Sequence, residues 1–480
     1  MDSRTKQETP PPVAPRDTDR RLAAISGARV SRNSGTASER LVSAETRKPA
    51  AGFVPPPSAR GLLRRDLDRL ARFFRIPRGR RLPADLRAER VGELAGGLLR
   101  GPFDPAFRML LQSIDQSPIL DGNRVQLFFG APGAYDAMRR AIEAAREEIL
   151  VEFYVLADEA GRRLADLLLA ARARGVAVRV LADASHRGQE EPFWEPLRRG
   201  GVELKLFQPF FRSPWYRPPR DHRKILVVDR SVVFTGGRDS RLAPPAEHPV
   251  PALRDLYVRV EGSTALEMAV VFSDGWDRAR GAELVFAPEK RPPAAHADGA
   301  SVLVLDSPSW RSSREAASVL TAIVESARRS LWISNPCFAP KPFVIDALGR
   351  AAERGVDVRL LVPEGGDAPI ARSASRGSYL DLLRRGVAIQ EFPGASLQAK
   401  LMIADDYVSV LGSTNLDFRY FRLNAQCNLV IFESATARTL ASAFERDLAA
   451  SHRVTAESLA GRPFLGRAAD ELARELVTTL

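Results

Sequence analysis

Two short polar sets in this 480-residue chain are spaced to do chemistry together. The first is His222-Arg223-Lys224, followed by Asp229 and then Gly236-Gly237-Arg238-Asp239. The second is Gln398-Ala399-Lys400, followed by Asp405 and then Gly412-Ser413-Thr414-Asn415. The two sets keep a constant offset of 176 residues, Lys224 with Lys400, Asp229 with Asp405 and Gly236 with Gly412. A histidine and a lysine two apart at the mouth of a strand share one face. That pair suits a phosphate: the lysine supplies fixed positive charge, and imidazole attacks or moves protons near neutral pH. A lone His-x-Lys is more often structural. Its duplication, followed each time by an aspartate and a glycine motif, points to a site.

The flanking segments say what must position these residues. After Gly122 the pattern alternates strand and helix, as in an α/β layer structure. The spacing predicts a strand over Ile149–Leu156, a helix over Arg162–Arg174 and a strand over Val176–Leu181. After a break at Arg291-Pro292-Pro293 the order returns, with a strand at Leu331–Ser334, a helix over Phe343–Glu353 and a strand over Val356–Val362. The repetition is partly literal. Arg174-Gly175-Val176-Ala177-Val178-Arg179 matches Arg354-Gly355-Val356-Asp357-Val358-Arg359, and Leu197-Arg198-Arg199 matches Leu383-Arg384-Arg385. Two α/β repeats facing one another are therefore expected, over residues 119–290 and 295–480.

The first 118 residues lie outside the repeats. Residues 1–58 are rich in Pro, Ser, Thr and Arg without periodicity and read as a disordered tail. Residues 59–118 read as a basic helical segment. Leu63, Leu67, Leu70 and Phe74 fall on one helical face, and Arg64, Arg65, Arg69, Arg72 and Arg75 on the other. Neither an apolar leader nor a membrane-spanning run is present. The formal net charge of +12 suits an anionic partner. Only two cysteines occur, Cys337 and Cys427, each in an apolar stretch, so buried free thiols are expected rather than a disulfide framework. Of 71 basic residues seven are lysines, which makes lysine at both 224 and 400 informative. His186, His248, His296 and His452 lie away from both sets and read as loop or surface residues.

The two sets resemble the phospholipase D superfamily, whose motif is His-x-Lys-x4-Asp followed by Gly-Gly/Ser-x-Asn. Within it the chain looks like the shorter cardiolipin synthases that lack transmembrane helices. Val151-Glu152-Phe153-Tyr154-Val155, Leu253-Arg254-Asp255-Leu256-Tyr257, Asn335-Pro336-Cys337-Phe338 and Phe421-Arg422-Leu423-Asn424 carry the same likeness, which begins near Gly122. The resemblance implies two α/β phospholipase D-like repeats packed face to face. It also implies phosphatidyl transfer between phospholipids, with phosphodiester hydrolysis or lipid binding without turnover as alternatives. His222 would attack phosphorus and carry a phosphohistidine. Lys224, Lys400, Asn415 and Ser413 would hold phosphate oxygens, Asp229 and Asp405 would complete the catalytic set, and Asp255 would orient His222. No metal or cofactor is implied. The expected partner is an anionic phospholipid such as phosphatidylglycerol, met peripherally at the cytoplasmic face of a bacterial-type membrane, rather than nucleic acid. Phe210-Phe211-Arg212 and Trp215-Tyr216-Arg217 would touch that surface. Three positions depart from the pattern. Gln398 replaces the second motif histidine, Gln426 the acid expected to partner it, and Asp239 the first asparagine. Loss of the histidine with its acid reads as one event in the second half, and Asp239 stands as a substitute acid.

Overall fold

The computed structural model describes residues 84–154, 159–183, 191–207, 220–237, 255–279, 284, 295–308, 314–365, 369–393, 397–416 and 424–479. The tail, the Arg60–Arg75 helix, the aromatic loop at 210–217, Asp239, His186 and His248 lie outside them. The strands are β1 Ile119–Phe129, β2 Glu148–Phe153, β3 Ala177–Asp183, β4 Glu203–Phe207, β5 Arg220–Asp221, β6 Ile225–Val228, β7 Val232–Gly236 and β8 Leu256–Glu261. The second half adds β9 Ala300–Ser307, β10 Ser330–Ser334, β11 Asp357–Pro363, β12 Ala388–Phe392, β13 Leu401–Ala404, β14 Val408–Gly412, β15 Asn424–Phe432 and β16 His452–Arg453. The helices are α1 Ala84–Gly96, α2 Pro105–Asp115, α3 Ala131–Ala144, α4 Glu159–Ala173, α5 Glu191–Arg199 and α6 Ser263–Arg278. They continue as α7 Arg314–Ser326, α8 Pro342–Glu353, α9 Pro369–Arg384, α10 Ser434–Ala449, α11 Ala456–Ala460 and α12 Phe464–Thr479.

Each half is a mixed sheet of the same plan. In the first the order is β1-β8-β7-β6-β2-β3-β4, and in the second β9-β15-β14-β13-β10-β11-β12-β16. β1 and β9 pair antiparallel, so one sheet runs through both halves. The inner strands β2, β6, β13 and β14 are buried at every residue, which is why they read as apolar runs rather than alternations. The predicted strands and helices fall within a few residues of those observed. The literal repeats have a mechanical cause. Gly175 (φ 92°) and Gly355 (φ 87°) end α4 and α8 in the left-handed region that favours glycine. The next amides, Val176 N and Val356 N, then donate back to Ala171 O and Ala351 O, both at 3.2 Å, which closes the helix and launches β3 and β11.

The two halves carry separate cores. One gathers Ile149, Val151, Val180, Trp194, Leu226 and Phe234, the other Ile333, Leu348, Leu360, Ile389, Met402 and Val410. The described part of the N-terminal segment, α1 and α2, docks on the second core through Val91, Phe107, Leu110 and Leu111. Asp104 caps α2 by accepting from Ala106 N at 3.0 Å, with Pro105 at the first helical position.

Candidate active site

The ladders fix which residues correspond between the halves. Gly236 pairs with Tyr257 and Gly412 with Asn428, so Asp255 and Gln426 occupy equivalent places. Glu152 faces Ile225 as Ser334 faces Leu401, which makes Ser334 the counterpart of Glu152. The two halves then interlock at their motifs. β5 of the first half runs parallel to the start of β15, with Asp221 beside Ala425, and His222 N donates to Ala425 O at 2.9 Å. The next step of that register sets His222 beside Gln426. From the second half Lys400 Nζ donates to Gly237 O at 2.7 Å and to Gln398 O at 3.2 Å. Lys224 Nζ donates likewise to His222 O at 2.7 Å. Gly237 has to be glycine: a Cβ there would lie 2.8 Å from Gln398 O, 3.1 Å from Asp255 Oδ1 and 3.6 Å from Lys400 Nζ.

This crossing corrects the expected pairing. Asp255 sits with Gln398 and Lys400, not with His222, and the strand carrying Gln426 lies against His222. Gln398 and Gln426 therefore do not replace two members of one pair. Each of two pairs has one member changed: His222 keeps its imidazole next to the strand position of Gln426, and Asp255 keeps its carboxylate near the backbone of Gln398. Gln426 is buried with its Nε2 lacking a hydrogen bond among the described residues.

His222 stacks on Tyr154 with ring centroids 4.2 Å apart and planes at 18°, and Lys224 Nζ lies 5.8 Å from the same ring's centroid. Burial, then the charges of Lys224, Lys400 and Arg220, hold the imidazole well below its ordinary pKa. Both effects favour the neutral form of the imidazole. The two ammonium groups that depress it come from different halves, which is the arrangement an anionic phosphate would complete.

Asp229 and Asp405 are not at this site. They follow β6 and β13 at the far end, five residues and roughly 16 Å of strand from the lysines. Asp229 accepts from the amides of Arg146, Glu147 and Glu148 at 2.8–3.0 Å. Asp405 accepts from those of Arg328, Arg329 and Ser330 at distances down to 2.7 Å. Both have positive φ, 49° and 54°, and tie the turn after one strand to the start of its neighbour. Ser413 is also corrected: its hydroxyl bridges the Cys427 backbone, accepting from N at 3.0 Å and donating to O at 3.3 Å. Asn415 follows β14 at the same end of the sheet as Lys400, 9% exposed, its Oδ1 without a hydrogen bond among the described residues.

Sequence reasoning missed a buried ionic cluster behind His222. Arg223, fully buried, reaches Glu152 at 3.3 Å in its own half and Asp306 at 2.7 Å in the other, while its amide donates to Asp221 at 3.0 Å. Burial and the neighbouring Asp221 carboxylate push Glu152 well up, with Arg223 opposing. The available signal was a glutamate inside the apolar run Val151-Glu152-Phe153. Cys427, beside Asp306 in the ladder, is buried and free, and burial raises its thiol pKa. Cys337 forms no disulfide and is only half-buried. Of the remaining histidines His296 is half-buried and His452 exposed.

The counterpart of this cluster is hollow. Ala399 stands for Arg223, Ser334 for Glu152, and Phe129, which pairs with Leu256 as Asp306 pairs with Cys427, for Asp306. These three, with Asp255, Leu256, Leu401, Ala443, Phe444, Arg446 and Asp447, line a cleft of about 550 Å³ counting its open mouth.

The family model described as cardiolipin synthase, PLD-like domain, matches residues 138–238 and 320–448, which span both motif sets. Cardiolipin synthase A of Pseudomonas aeruginosa is 33% identical over 361 residues, covering 72% of this chain and 71% of that protein. The chain belongs to the phospholipase D-like cardiolipin synthase family. Cardiolipin synthase 1 of Bacillus cereus is 29% identical over 383 residues, covering 76% of this chain and 74% of that protein. The fold is also that of the crystal structure of phosphatidylserine synthase from Haemophilus influenzae, with a TM-score of 0.56 at 15% identity over 78% of this chain and all of that one. No helix among the described residues of this cardiolipin synthase relative is long and apolar enough to cross a membrane.

Proposed function

We propose that the protein transfers a phosphatidyl group between phospholipids, with His222 as nucleophile. The observation that carries this is the placement of His222 stacked on Tyr154, where the charges of Lys224 and Lys400, one from each half, act on its imidazole. His222 attacks phosphorus, and Lys224 and Lys400 offset the charge that grows on the non-bridging oxygens as the transition state forms. Asn415, at the same sheet end, adds a polar contact. Tyr154 holds the imidazole plane against rotation, a positioning role. The names of the relatives support a phospholipid substrate, and the excess positive charge supports an anionic surface as the place of work.

The test is incubation with vesicles of labelled phosphatidylglycerol, followed by product identification and acid-quench trapping of a phosphoenzyme. His222→Ala and His222→Asn should abolish both signals with the fold retained by circular dichroism. Lys400→Ala should lower turnover by roughly 10²-fold or more. Turnover in the His222 variants equal to that of the unaltered protein would remove the phosphohistidine. A second reading, lipid binding without turnover, is favoured by the two amides Gln398 and Gln426. It predicts salt-sensitive flotation with anionic vesicles and no product.

A further inference from the structure

We propose that Asp255 is the proton carrier of this site, acting on the alcohol oxygen of a phosphodiester whose alcohol portion sits in the second-half cleft. The proposal rests on the phosphatidyl-transfer reading and deepens it. An alkoxide is a poor leaving group, and the transfer needs a group that gives it a proton and later takes one from the acceptor. The place equivalent to His222 is held by Gln398, whose amide does not titrate. Asp255 is a carboxylate that lies near the Gln398 backbone. Its Oδ1 and the Gln398 carbonyl both lie about 3 Å from one point, the missing Cβ of Gly237, and Lys400 Nζ lies 3.6 Å from it. Asp255 is 4% exposed, and its Oδ1 is oriented by the Leu256 amide at 2.8 Å.

The cleft gives the carboxylate something to act on. In the first half the equivalent volume is filled by Arg223, Glu152 and Asp306, with Gly275 packed against them. In the second half Ala399, Ser334, Phe129 and Ala443 leave the volume open, with Asp255 in its wall. The other titratable groups lining it, Arg446 and Asp447, stand on α10, whereas Asp255 adjoins the phosphate-binding Lys400. A wall that is apolar through Phe129, Leu256, Ala399, Leu401 and Phe444, with the Ser334 hydroxyl and the Asp255 carboxylate on one side and Arg446 and Asp447 on α10, fits a small alcohol such as the glycerol end of a lipid headgroup.

The steps balance. As the His222 nitrogen bonds to phosphorus, the bond from phosphorus to the leaving oxygen breaks, and the proton of the Asp255 carboxyl moves to that oxygen. An acceptor alcohol or water then gives its proton to the Asp255 carboxylate while its oxygen bonds to phosphorus and the phosphorus–nitrogen bond breaks.

The experiment compares phosphatidylglycerol in mixed micelles with bis(p-nitrophenyl) phosphate, whose leaving group departs as an anion and needs no proton. Asp255→Asn preserves the acceptor for Leu256 N. It should cut phosphatidylglycerol turnover by roughly 10²-fold or more, with a loss on the aryl ester at least about tenfold smaller. Formate should restore part of the phosphatidylglycerol turnover of Asp255→Ala. Ala443→Phe, which fills part of the cleft, should raise KM for phosphatidylglycerol more than it lowers kcat. Equal losses on the two esters, or no loss on phosphatidylglycerol, would overturn the proton-carrier role. Absence of a His222-dependent aryl burst in the unaltered protein would instead overturn the phosphatidyl-transfer reading itself.

Discussion

The two halves share a frame and differ in what fills it. Both use the same strand order, the same glycine helix stops and the same aspartate-capped turn at the far end of the motif strand. At the near end one half is packed with an arginine and its carboxylates and keeps the histidine. The other half is open, with Ala399 and Ser334 in those places and Gln398 in the histidine's. A duplicated fold needs its turns and stops in both copies, because each half must still close its own sheet. It needs a nucleophile in only one. On the proposed mechanism the difference is a division of labour, one half holding the attacking group and the other leaving room for the group being exchanged.

The comparison breaks most visibly at Arg223. Replacing it by Met leaves Glu152 and Asp306 buried without their cation, and a loss of roughly 3–5 kcal/mol in chemical unfolding is expected. Ala399→Ser, the equivalent place in the open half, should change stability by less than about 1 kcal/mol. Similar losses at both would mean the second half is as tightly packed as the first.

The crossed pairing is sharpened by restoring the changed members one at a time. Gln398→His acquires a partner already in place, Asp255, and should raise turnover by about 10²-fold without a second change. Gln426→Glu acts on His222 instead and should raise it less. If the two belong to separate pairs, their effects multiply. A Gln398→His variant that gains only when Gln426 is also Glu would restore the single-pair view.

The shared frame predicts near-equal costs at its two aspartates. Asp229→Ala and Asp405→Ala each strand three backbone amides, and each should lose about 2 kcal/mol of stability. Both should leave kcat of the folded protein within about threefold, since neither touches the site. A collapse of kcat with normal unfolding would return them to the catalytic set.

The smallest effect lies in the pH profile. The pKa of His222 is depressed by burial first and by Lys224, Lys400 and Arg220 after it, so the acid limb of kcat/KM should fall below the ordinary histidine range. Protonation removes the nucleophile, so activity is lost only as pH drops through that lowered value. Arg220→Ala takes away one repelling charge and should move the limb to higher pH. An unmoved limb would assign it to another group.

Much of the frame was legible in the residues themselves. Apolar runs bounded by glycines mark the inner strands, because a strand buried on both faces has no polar side to show. Gly175 and Gly355 mark helix ends, because only glycine enters the left-handed region without cost. The offset of 176 between Lys224 and Lys400 reports the duplication and picks the two lysines whose charges act on His222. Spacing along one chain carries no information about which half a side chain will meet. The resemblance implied an Asp255–His222 pair, whereas the fold crosses them. It also grouped Asp229 and Asp405 with the chemistry, since five residues of extended strand look short in a sequence and reach across the sheet in space. The ionic cluster around Arg223 draws on β2, β5, the residues between β5 and β6, and β9, and the hollow opposite draws on both halves. Residue types were set by the sequence. Their company was decided by the interlocking of β5 with β15 and of Lys400 with Gly237, contacts that exist only once both sheets have closed.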